Sequence, residues 1–581
     1  MIESSYPRPQ LRRENYELLD GEWDFLFDDE DKGLKEGYYR GFEKSQTINV
    51  PFVYSTALSG INQRRRVDVL WYQREIIIHK EDFLQDVMIN FEGVDYRADV
   101  YLNGHFIGSH EGAYARFSLC LNQAMVIGSN KLVVRTFDSY NVAQPRGKQK
   151  WMNENYGCWY KEASGIWKSV WLERVSHTRI SELKITPRVD RMNVEIEYTI
   201  ENFRSNLTLS SEILFEGKTT SKIIASLAYP SGKIVVELAS PYLSFQNEFW
   251  HPDRPKIYDI KFMLCEDQMI CDKVDSYFGF REYRAQQGQL LLNGFSFYSK
   301  LCLYQAYWPL SNMTLPDLKS AREDILLLKA LGFNGIRIHQ TIIDERFLAL
   351  CDELGLIVWC EMPSPHIFNL EANSNVLKEW MEILHQNYNH PSIFVWVLFN
   401  ESWGIREIGE NQLEQSFVDA LYFLTKAFDP YRPAISNDGW EHTKSDILTI
   451  HNYEQSADKL LSFYKDINLV MSGKTSSLSM RKLLADGYEY EGQPFIFSEF
   501  GGAALKKDTA DGWGYGGATD GIEEFYTRYR ELIEAIYELP YLSGFCYTQF
   551  SDVEQEKNGL VTIDRKVKVD ISIIKKIMEK R

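Results

Sequence analysis

The sequence lacks the features that would place it in a membrane, nucleic-acid-binding or disulfide-rich class. No run is long and apolar enough to span a membrane. The net charge is −18 and no long basic run is present, which argues against nucleic acid or an anionic membrane as the main partner. The 8 cysteines are scattered, several within apolar runs, which is typical of buried thiols and not of a disulfide framework or zinc cluster.

The first residues of the sequence show no pattern typical of a targeting signal. Residues 1–6 carry neither a basic segment nor an apolar core, so we expect no signal peptide and, with reduced cysteines, a cytoplasmic location. Hydrophobic residues make up 44% of the 581 residues, enough for several packed cores. Aromatic residues make up 14%, which fits either aromatic strand cores or sugar binding. Composition does not distinguish these two roles of the aromatic residues. It is also compatible with a homo-oligomer.

Residues 1–176 predict an all-β sandwich. Alternating runs such as 69–78 and 131–135 are separated by turn signals, and Asn103-Gly104 between two short runs is typical of a hairpin. A polar and aromatic segment, residues 144–160, is too long for a tight turn. It is either a functional loop or a loose surface loop, and the sequence does not decide between them.

Residues 177–280 predict a second sandwich. About 100 residues with roughly seven alternating runs, such as 194–198 and 233–238, are typical of an immunoglobulin-like domain. No cluster of chemically active residues stands out in this segment. We therefore predict a spacer that orients the domains on either side.

Residues 281–581 alternate between strand and helix patterns and predict a (β/α)8 barrel. The fold class is thus multidomain, with two β-sandwiches followed by a barrel. The predicted strands are residues 298–303, 335–339, 356–360, 393–399, 433–436, 447–450, 495–497 and 543–547. The clearest predicted helices are residues 318–331, 344–354, 376–388 and 412–428.

The fourth predicted strand carries the strongest functional signal. Residues 393–399 are seven consecutive apolar residues, which indicates a strand buried on both faces. Asn400 and Glu401 follow at once. Burying a carboxylate costs free energy unless it is paired or used, and barrel enzymes place their chemistry where strands end.

Polar or aromatic side chains follow seven of the predicted strands, so we expect them to meet at one rim of the barrel. Three glutamates, an arginine, two histidines and several aromatic residues at one rim predict a binding pocket. No firm metal-ligand set stands out, and we predict no cofactor. The candidate residues are Arg337, His339, Glu361, Asn400, Glu401, Asp438, Trp440, His451, Asn452, Tyr453, Glu499, Tyr547 and Gln549.

Two carboxylates on different strands, Glu401 and Glu499, fit glycoside hydrolysis. One carboxylate attacks the anomeric carbon, while the other protonates the leaving oxygen and later activates water. The pattern therefore predicts a carbohydrate substrate. The alternative is a carbohydrate-binding protein with a barrel that has lost catalysis, which the sandwich domains would serve equally well.

Several motifs resemble those of glycoside hydrolase family 2, which includes β-galactosidases, β-glucuronidases and β-mannosidases. In the barrel they are residues 389–393, Asn400-Glu401-Ser402-Trp403-Gly404 and residues 497–502. Residues 6–10, 19–23, 103–108 and 164–167 look like the family's sugar-binding jelly roll, and residues 250–255 and 278–282 like the end of its immunoglobulin-like domain. The resemblance covers nearly the whole chain.

The resemblance implies a retaining exo-glycosidase. By motif position it makes Glu401 the acid/base and Glu499 the nucleophile. It implies that Asn400 contacts the sugar 2-hydroxyl and that Tyr453 hydrogen-bonds the nucleophile. Arg337 matches the arginine that the family carries on strand two.

Three positions depart from the family pattern. His339 follows Arg337 by two residues, where the best-known β-galactosidases have three. Tyr304 replaces an acidic residue at the end of strand one, a change expected to alter substrate choice. The Asn-x-Lys pair by which the family's glucuronidases hold the sugar carboxylate is absent at residues 557–559. A β-galactosidase-like activity is thus the leading expectation, with a β-glucuronide, β-mannoside or α-L-arabinoside as alternatives.

Overall fold

The computed structural model describes residues 5–238, 248–471 and 481–579. Of the N-terminal segment judged for a signal peptide, residues 1–4 lie outside the described residues. Across the described ranges, no helix is both long and apolar enough to cross a membrane.

The N-terminal sandwich packs two antiparallel sheets around one apolar core that includes Trp23, Phe25 and Tyr72. The larger sheet has six strands in the order Gln46–Val50, Gly21–Phe27, Val69–Ile78, Gly128–Phe137, Arg97–Leu102 and His105–Glu111. The smaller has four, in the order Tyr16–Leu18, Val170–Val175, Asp86–Phe91 and Phe117–Cys120. The hairpin at Asn103-Gly104 joins its predicted strands, and Asn103 takes a left-handed φ of +52°.

The second sandwich has three strands facing four. The three-stranded sheet runs Arg179–Arg188, Asn193–Glu201 and Ser231–Glu237. The four-stranded sheet runs Lys218–Ser226, Leu207–Phe215, Tyr258–Glu266 and Met269–Phe278. Leu11, from the N-terminal segment, packs into this core, and Arg12 pairs with Asp275. The start of the chain is therefore attached to the second sandwich.

The C-terminal part is a barrel of eight parallel strands, which confirms the predicted fold class. We number its strands β1 Ser299–Tyr304, β2 Gly335–Ile338, β3 Ile357–Glu361, β4 Ile393–Val397, β5 Ala434–Ile435, β6 Leu448–His451, β7 Phe495–Gly501 and β8 Leu542–Thr548. They pair in sequence order and β8 closes onto β1, while β5 and β6 are not hydrogen-bonded to each other. A three-stranded sheet, Tyr283–Gln286, Gln289–Leu292 and Phe295–Ser296, packs Tyr283, Leu290 and Leu292 against the interior of the barrel.

Helices cover the outside of the barrel. They are Leu318–Ala330, Glu345–Leu354, Leu370–Asn387, Gln412–Phe428, Ala457–Tyr464, Ile467–Met471, Ile522–Tyr537 and Ile571–Met578. Side chains at Asp317, Asn369 and Asn411 accept backbone N–H groups and so fix where three of these helices begin. The prediction that strands and helices alternate throughout the barrel was wrong at one place. Residues 436–447, which are all described, join β5 and β6 without a helix.

The segment at residues 144–160 is packed against the rim of the barrel. The Arg146 and Gly147 N–H groups each donate to the Ser364 carbonyl at 3.0 Å. A Cβ at Gly147 would stand 2.2 Å from the Gln340 carbonyl oxygen, so only glycine permits this approach. Of the two interpretations left open, the loose surface loop is excluded.

Candidate active site

The turn after β4 aims Glu401 over the mouth of the barrel. Glu401 and Ser402 have left-handed φ angles of +50° and +59°. Such backbone costs on the order of 1–3 kcal/mol per non-glycine residue unless the surroundings hold it. The Glu401 N–H donates to the Asp438 carbonyl, and the Ser402 N–H donates to Asn437 Oδ1, each at 2.9 Å. The end of β5 thus fixes the orientation of the turn.

Arg337, at the end of β2, is the centre of the site and is fully buried. Its Nε donates to Glu361 at 2.7 Å, and its Nη1 contacts Glu499 at 2.7 Å and Asp438 at 2.8 Å. Its Nη2 donates to Asn400 Oδ1 at 2.6 Å. One guanidinium therefore joins side chains from β3, β4, β5 and β7, which the sequence brings to one rim only through the barrel.

His451 bridges the two candidate catalytic carboxylates. Its Nδ1 lies 2.8 Å from Glu401 Oε1 and 3.6 Å from Glu499 Oε2, and its Nε2 lies 3.2 Å from Asp438 Oδ2. Burial lowers the pKa of His451, but the charge of Glu499 and hydrogen bonds to Asp438 and Glu401 outweigh burial and raise it to about 10. His451 is therefore an imidazolium that donates from both ring nitrogens.

Glu499, on β7, is held as a carboxylate. Tyr453 Oη donates to its Oε2 at 2.5 Å, while Arg337 contacts Oε1. Burial raises the pKa of Glu499, but the charges of His451 and Arg337 outweigh burial, so the net pKa is lowered. An ionised carboxylate with fixed oxygens is suited to nucleophilic attack.

The spacing of the two carboxylates is short. One oxygen of Glu401 lies within 4.8 Å of one oxygen of Glu499. The Glu401 side chain is 24% exposed and the Glu499 side chain 7%. Retaining glycosidases hold their carboxylates about 5–5.5 Å apart and inverting ones about 6.5–9.5 Å apart. This pair falls on the retaining side.

Distance alone would also allow a metal ion among Glu401, His451 and Glu499, whose potential ligand atoms lie within 4.8 Å of one another. The same distances place the His451 imidazole between the two carboxylates, with Nδ1 2.8 Å from Glu401 and 3.6 Å from Glu499. The three groups can therefore be held together by hydrogen bonds and charge alone.

Four predicted residues surround these groups. Glu361 is fully buried and accepts from both Arg337 and His339, the latter at 2.9 Å. Burial and the Arg337 charge lower the pKa of His339, so its imidazole is neutral. The Trp440 ring lies 5.7 Å from the ring of His451. Gln549 donates to the buried carboxylate of Glu556 at 2.9 Å.

Three sequence-based expectations were wrong, and side-chain alternation along the strands explains each. Tyr547 points outward from β8 and packs at 4.9 Å against Tyr529 on a covering helix. Asn452 lies between His451 and Tyr453, and its amide donates to Tyr464 at 2.9 Å on the outer side. Tyr304 also points outward and donates to Asp324 at 2.8 Å, so it does not face a substrate.

Sequence reasoning missed Lys148, Gln305, Tyr515 and Glu556. Tyr515 donates to Glu556 at 3.0 Å, and Gln305 donates to it at 2.9 Å. Lys148 comes from the N-terminal sandwich and lies 3.6 Å from Glu556. For Lys148, the sequence offered one signal, the polar and aromatic loop at 144–160. That pattern indicates a functional segment but does not identify the side chain that enters the site.

A sugar-binding-type sandwich, an immunoglobulin-like sandwich and a barrel with two carboxylates at its rim define a glycoside hydrolase architecture. The family model for the "TIM barrel domain" of glycosyl hydrolases family 2 matches residues 314–580. The "sugar binding domain" model matches residues 16–175, and a third family 2 model matches residues 178–281. The chain belongs to glycoside hydrolase family 2.

Relatives of this chain carry two different activity names. A putative β-glucuronidase of Formosa agariphila is 27% identical over 446 residues, covering 74% of this chain and 52% of the relative. A β-galactosidase of Thermoanaerobacter pseudethanolicus is 26% identical over 431 residues, covering 72% of this chain and 55% of the relative. The chain thus spans about half the length of these two proteins.

The architecture recurs in solved structures. The β-glucuronidase from Ruminococcus gnavus, in complex with D-glucaro 1,5-lactone, matches with a TM-score of 0.81 and 19% identity. The match covers 99% of this chain and all of that chain. At this identity the likeness establishes the fold.

Proposed function

We propose that the protein is a retaining, exo-acting glycoside hydrolase that cleaves terminal β-glycosidic bonds by double displacement. The observation that carries the proposal is the pair Glu401 and Glu499, with carboxylate oxygens within 4.8 Å of each other at the rim of the barrel. The loop at 144–160 covers one side of that rim, which suits a pocket for a terminal sugar better than an open groove.

In the first step Glu499 attacks the anomeric carbon while Glu401 gives its proton to the leaving oxygen. The sugar is then held as an ester on Glu499. In the second step Glu401 takes a proton from water, and that water displaces Glu499 from the anomeric carbon. Glu401 Oε1 is bonded to His451, which leaves Oε2 open to the cavity for this proton transfer.

The buried charges have separate tasks in this scheme. Arg337 and Tyr453 each hold one oxygen of Glu499, which fixes the nucleophile for attack. The His451 imidazolium faces both carboxylates. It therefore stabilises the negative charge on Glu499 before attack and on Glu401 after proton transfer. Asn400 Oδ1 accepts a hydrogen bond from Arg337, so the amide N–H groups of Asn400 remain as donors for a sugar hydroxyl.

The sugar is proposed from two candidates. A β-galactoside is the first, since the Asn-x-Lys pair expected of a glucuronidase is missing. A β-glucuronide is the second, because both the R. gnavus structure and the F. agariphila relative carry that name.

Trapping the ester tests the proposal. A 2-deoxy-2-fluoro β-glycoside with a good leaving group slows the second step more than the first, so the labelled protein accumulates. We expect peptide mass spectrometry to find one sugar attached to Glu499, and no label in Glu499→Gln. A label on another residue, or turnover with no trapped species for any sugar tested, would contradict double displacement through Glu499.

A further inference from the structure

Lys148 is carried into the barrel site by the loop from the N-terminal sandwich. Its neighbour Arg146 is buried and is fixed by Asp138 at 3.2 Å and by Gln144 at 2.7 Å. On the other side, the Lys150 N–H donates to the Tyr160 carbonyl at 2.8 Å. The backbone on both sides of Lys148 is therefore held in place.

The ammonium of Lys148 is buried but has no hydrogen-bond acceptor. The residue is 3% exposed. Its Nζ lies 3.6 Å from Glu556 Oε1 and 5.6 Å from the ring centres of Tyr160 and Trp403. Among the described residues none accepts a hydrogen bond from Nζ, and that atom is not fully enclosed. A buried donor without an acceptor is costly unless a ligand supplies one.

Glu556 forms an ion pair with the Lys148 ammonium but no hydrogen bond to it. The carboxylate is fully buried and accepts from Tyr515 at one oxygen and from Gln305 and Gln549 at the other. These three donors explain how a buried carboxylate is tolerated at this position. The Lys148 ammonium lies 3.6 Å from Glu556 Oε1, an ion-pair distance beyond hydrogen-bond range, which leaves its N–H groups available to a ligand.

The charges already present at this site disfavour binding of an anionic sugar. Four carboxylates, Glu361, Asp438, Glu499 and Glu556, face three cations, Arg337, His451 and Lys148, even before Glu401 is counted. Each cation already has at least one carboxylate within 4 Å. A uronic acid would add another buried negative charge, whereas the hydroxyls of a neutral sugar accept hydrogen bonds from an ammonium at no such cost.

We propose that Lys148 is a specificity-determining residue whose ammonium donates to hydroxyl groups of a neutral terminal sugar, so that neutral β-glycosides and not β-glucuronides are the substrate class. The inference rests on the proposed function. It places a substrate contact on a loop of the N-terminal sandwich.

The test compares Lys148→Met with Lys161→Met in the 581-residue protein. Lys161 directly follows the same loop and also pairs with the barrel, through Glu554 at 2.8 Å, but it is partly exposed. Both variants and the parent are assayed on aryl β-D-galactoside, β-D-glucoside, β-D-mannoside, β-D-fucoside, α-L-arabinoside and β-D-glucuronide. We expect the parent to prefer a neutral glycoside.

For that neutral glycoside we expect Lys148→Met to lose about 10- to 100-fold in kcat/KM, the usual effect of a lost charged hydrogen bond. Lys161→Met should stay within about twofold. An unchanged Lys148→Met, or a parent that prefers the glucuronide, overturns the inference while leaving the hydrolase intact. A larger loss on the glucuronide than on the neutral glycoside also overturns it.

If no glycoside is turned over, the proposed function fails, and binding decides the inference separately. Calorimetry with methyl β-galactoside, methyl β-glucoside and glucuronic acid should then show that the parent binds a neutral sugar and that Lys148→Met binds it at least about tenfold more weakly. Equal binding by both proteins, or binding of glucuronic acid alone, overturns the inference.

Discussion

Two of the buried ionic clusters among the described residues differ in access: one faces the cavity and the other is closed. The catalytic cluster, named for its proposed role, is Arg337, Glu361, Asp438, His451, Glu499 and Glu401 at the rim of the barrel. The closed cluster is His390, Asp352, Glu345, Tyr277 and Arg116, where the barrel meets both sandwiches. Asp352 accepts from Tyr277 at 2.8 Å, from His390 at 2.6 Å and from the Ser392 N–H at 2.8 Å. His390 and Asp352 are fully enclosed.

The comparison shows that burial and perturbed pKa values do not by themselves mark a catalytic site. Burial lowers the pKa of His390, but Asp352 and Glu345 outweigh burial and raise it to about 9, much as for His451. What differs is access: the Glu401 side chain is 24% exposed, whereas Asp352 has every oxygen bonded within the protein. Under the proposed function, the same kinds of interaction support catalysis in one cluster and attach the domains to each other in the other.

The largest expected effect is from Glu499→Gln in the catalytic cluster. Without the nucleophile we expect kcat on an aryl glycoside to fall by about 10⁴-fold or more. The fold should persist, because Arg337 keeps Glu361 and Asp438 as partners. Steady-state kinetics and a melting curve check both parts. Retention of a tenth of the activity would remove Glu499 from the mechanism.

The next largest effect is from Asp352→Asn in the closed cluster. Breaking a buried ion pair costs about 3–5 kcal/mol, because the partner charge is left unpaired. We expect a clearly lower melting temperature, with kcat of the folded protein within about twofold of the parent. If kcat collapsed while the melting temperature stayed constant, the two clusters would not be functionally distinct.

A matched pair of tyrosines sharpens the comparison. Tyr453 donates to Glu499 at 2.5 Å and Tyr277 donates to Asp352 at 2.8 Å, so each →Phe variant removes one phenol–carboxylate bond of about 1.5–3 kcal/mol. We expect Tyr453→Phe to lose about 10- to 100-fold in kcat with a small change in melting temperature, because water in the cavity can replace the lost hydrogen bond to Glu499. Tyr277→Phe should do the reverse, and similar outcomes for both would contradict the assignment.

The smallest effect, taken per unit of pH, is the change of stability with pH. A histidine with a raised pKa stabilises the fold fully below its unfolded value of about 6.5 and loses that contribution as pH rises through its folded pKa. For His390 the loss should run from about pH 6.5 to about 9, at no more than about 1.4 kcal/mol per pH unit. The melting temperature of His390→Gln should fall less over this range than that of the parent, and equal slopes would contradict the shift.

Strand pattern and motif spacing predicted the three-domain fold and the residues at the centre of the site. The apolar run before Asn400 is long enough to identify β4 as a buried strand, and Arg337, Glu401, Tyr453 and Glu499 do meet at one rim. The motif at residues 389–393 does not contribute to the site and has a structural role. Asn389 bonds the backbone of Leu183 and Ile185, and His390 belongs to the closed cluster, so the motif attaches the barrel to the second sandwich.

Sequence reasoning failed where the direction of a side chain depends on one residue of register. Tyr304, Asn452 and Tyr547 stand at strand ends and point outward, and strand ends are not readable to one position. Lys148 was missed for a different reason. It reaches the site from another domain, and the contact depends on the docking of Gly147 against Gln340, which no local pattern encodes.

The stereochemistry of the first-formed product tests the central claim most directly, since it reports whether the carboxylate oxygens of Glu401 and Glu499, within 4.8 Å of each other, act by double displacement. Proton NMR spectra recorded in the first minutes of hydrolysis, before the sugar mutarotates, distinguish the two anomers. We predict that a β-glycoside releases the β-anomer first. Release of the α-anomer would contradict the account, because it requires direct attack by water.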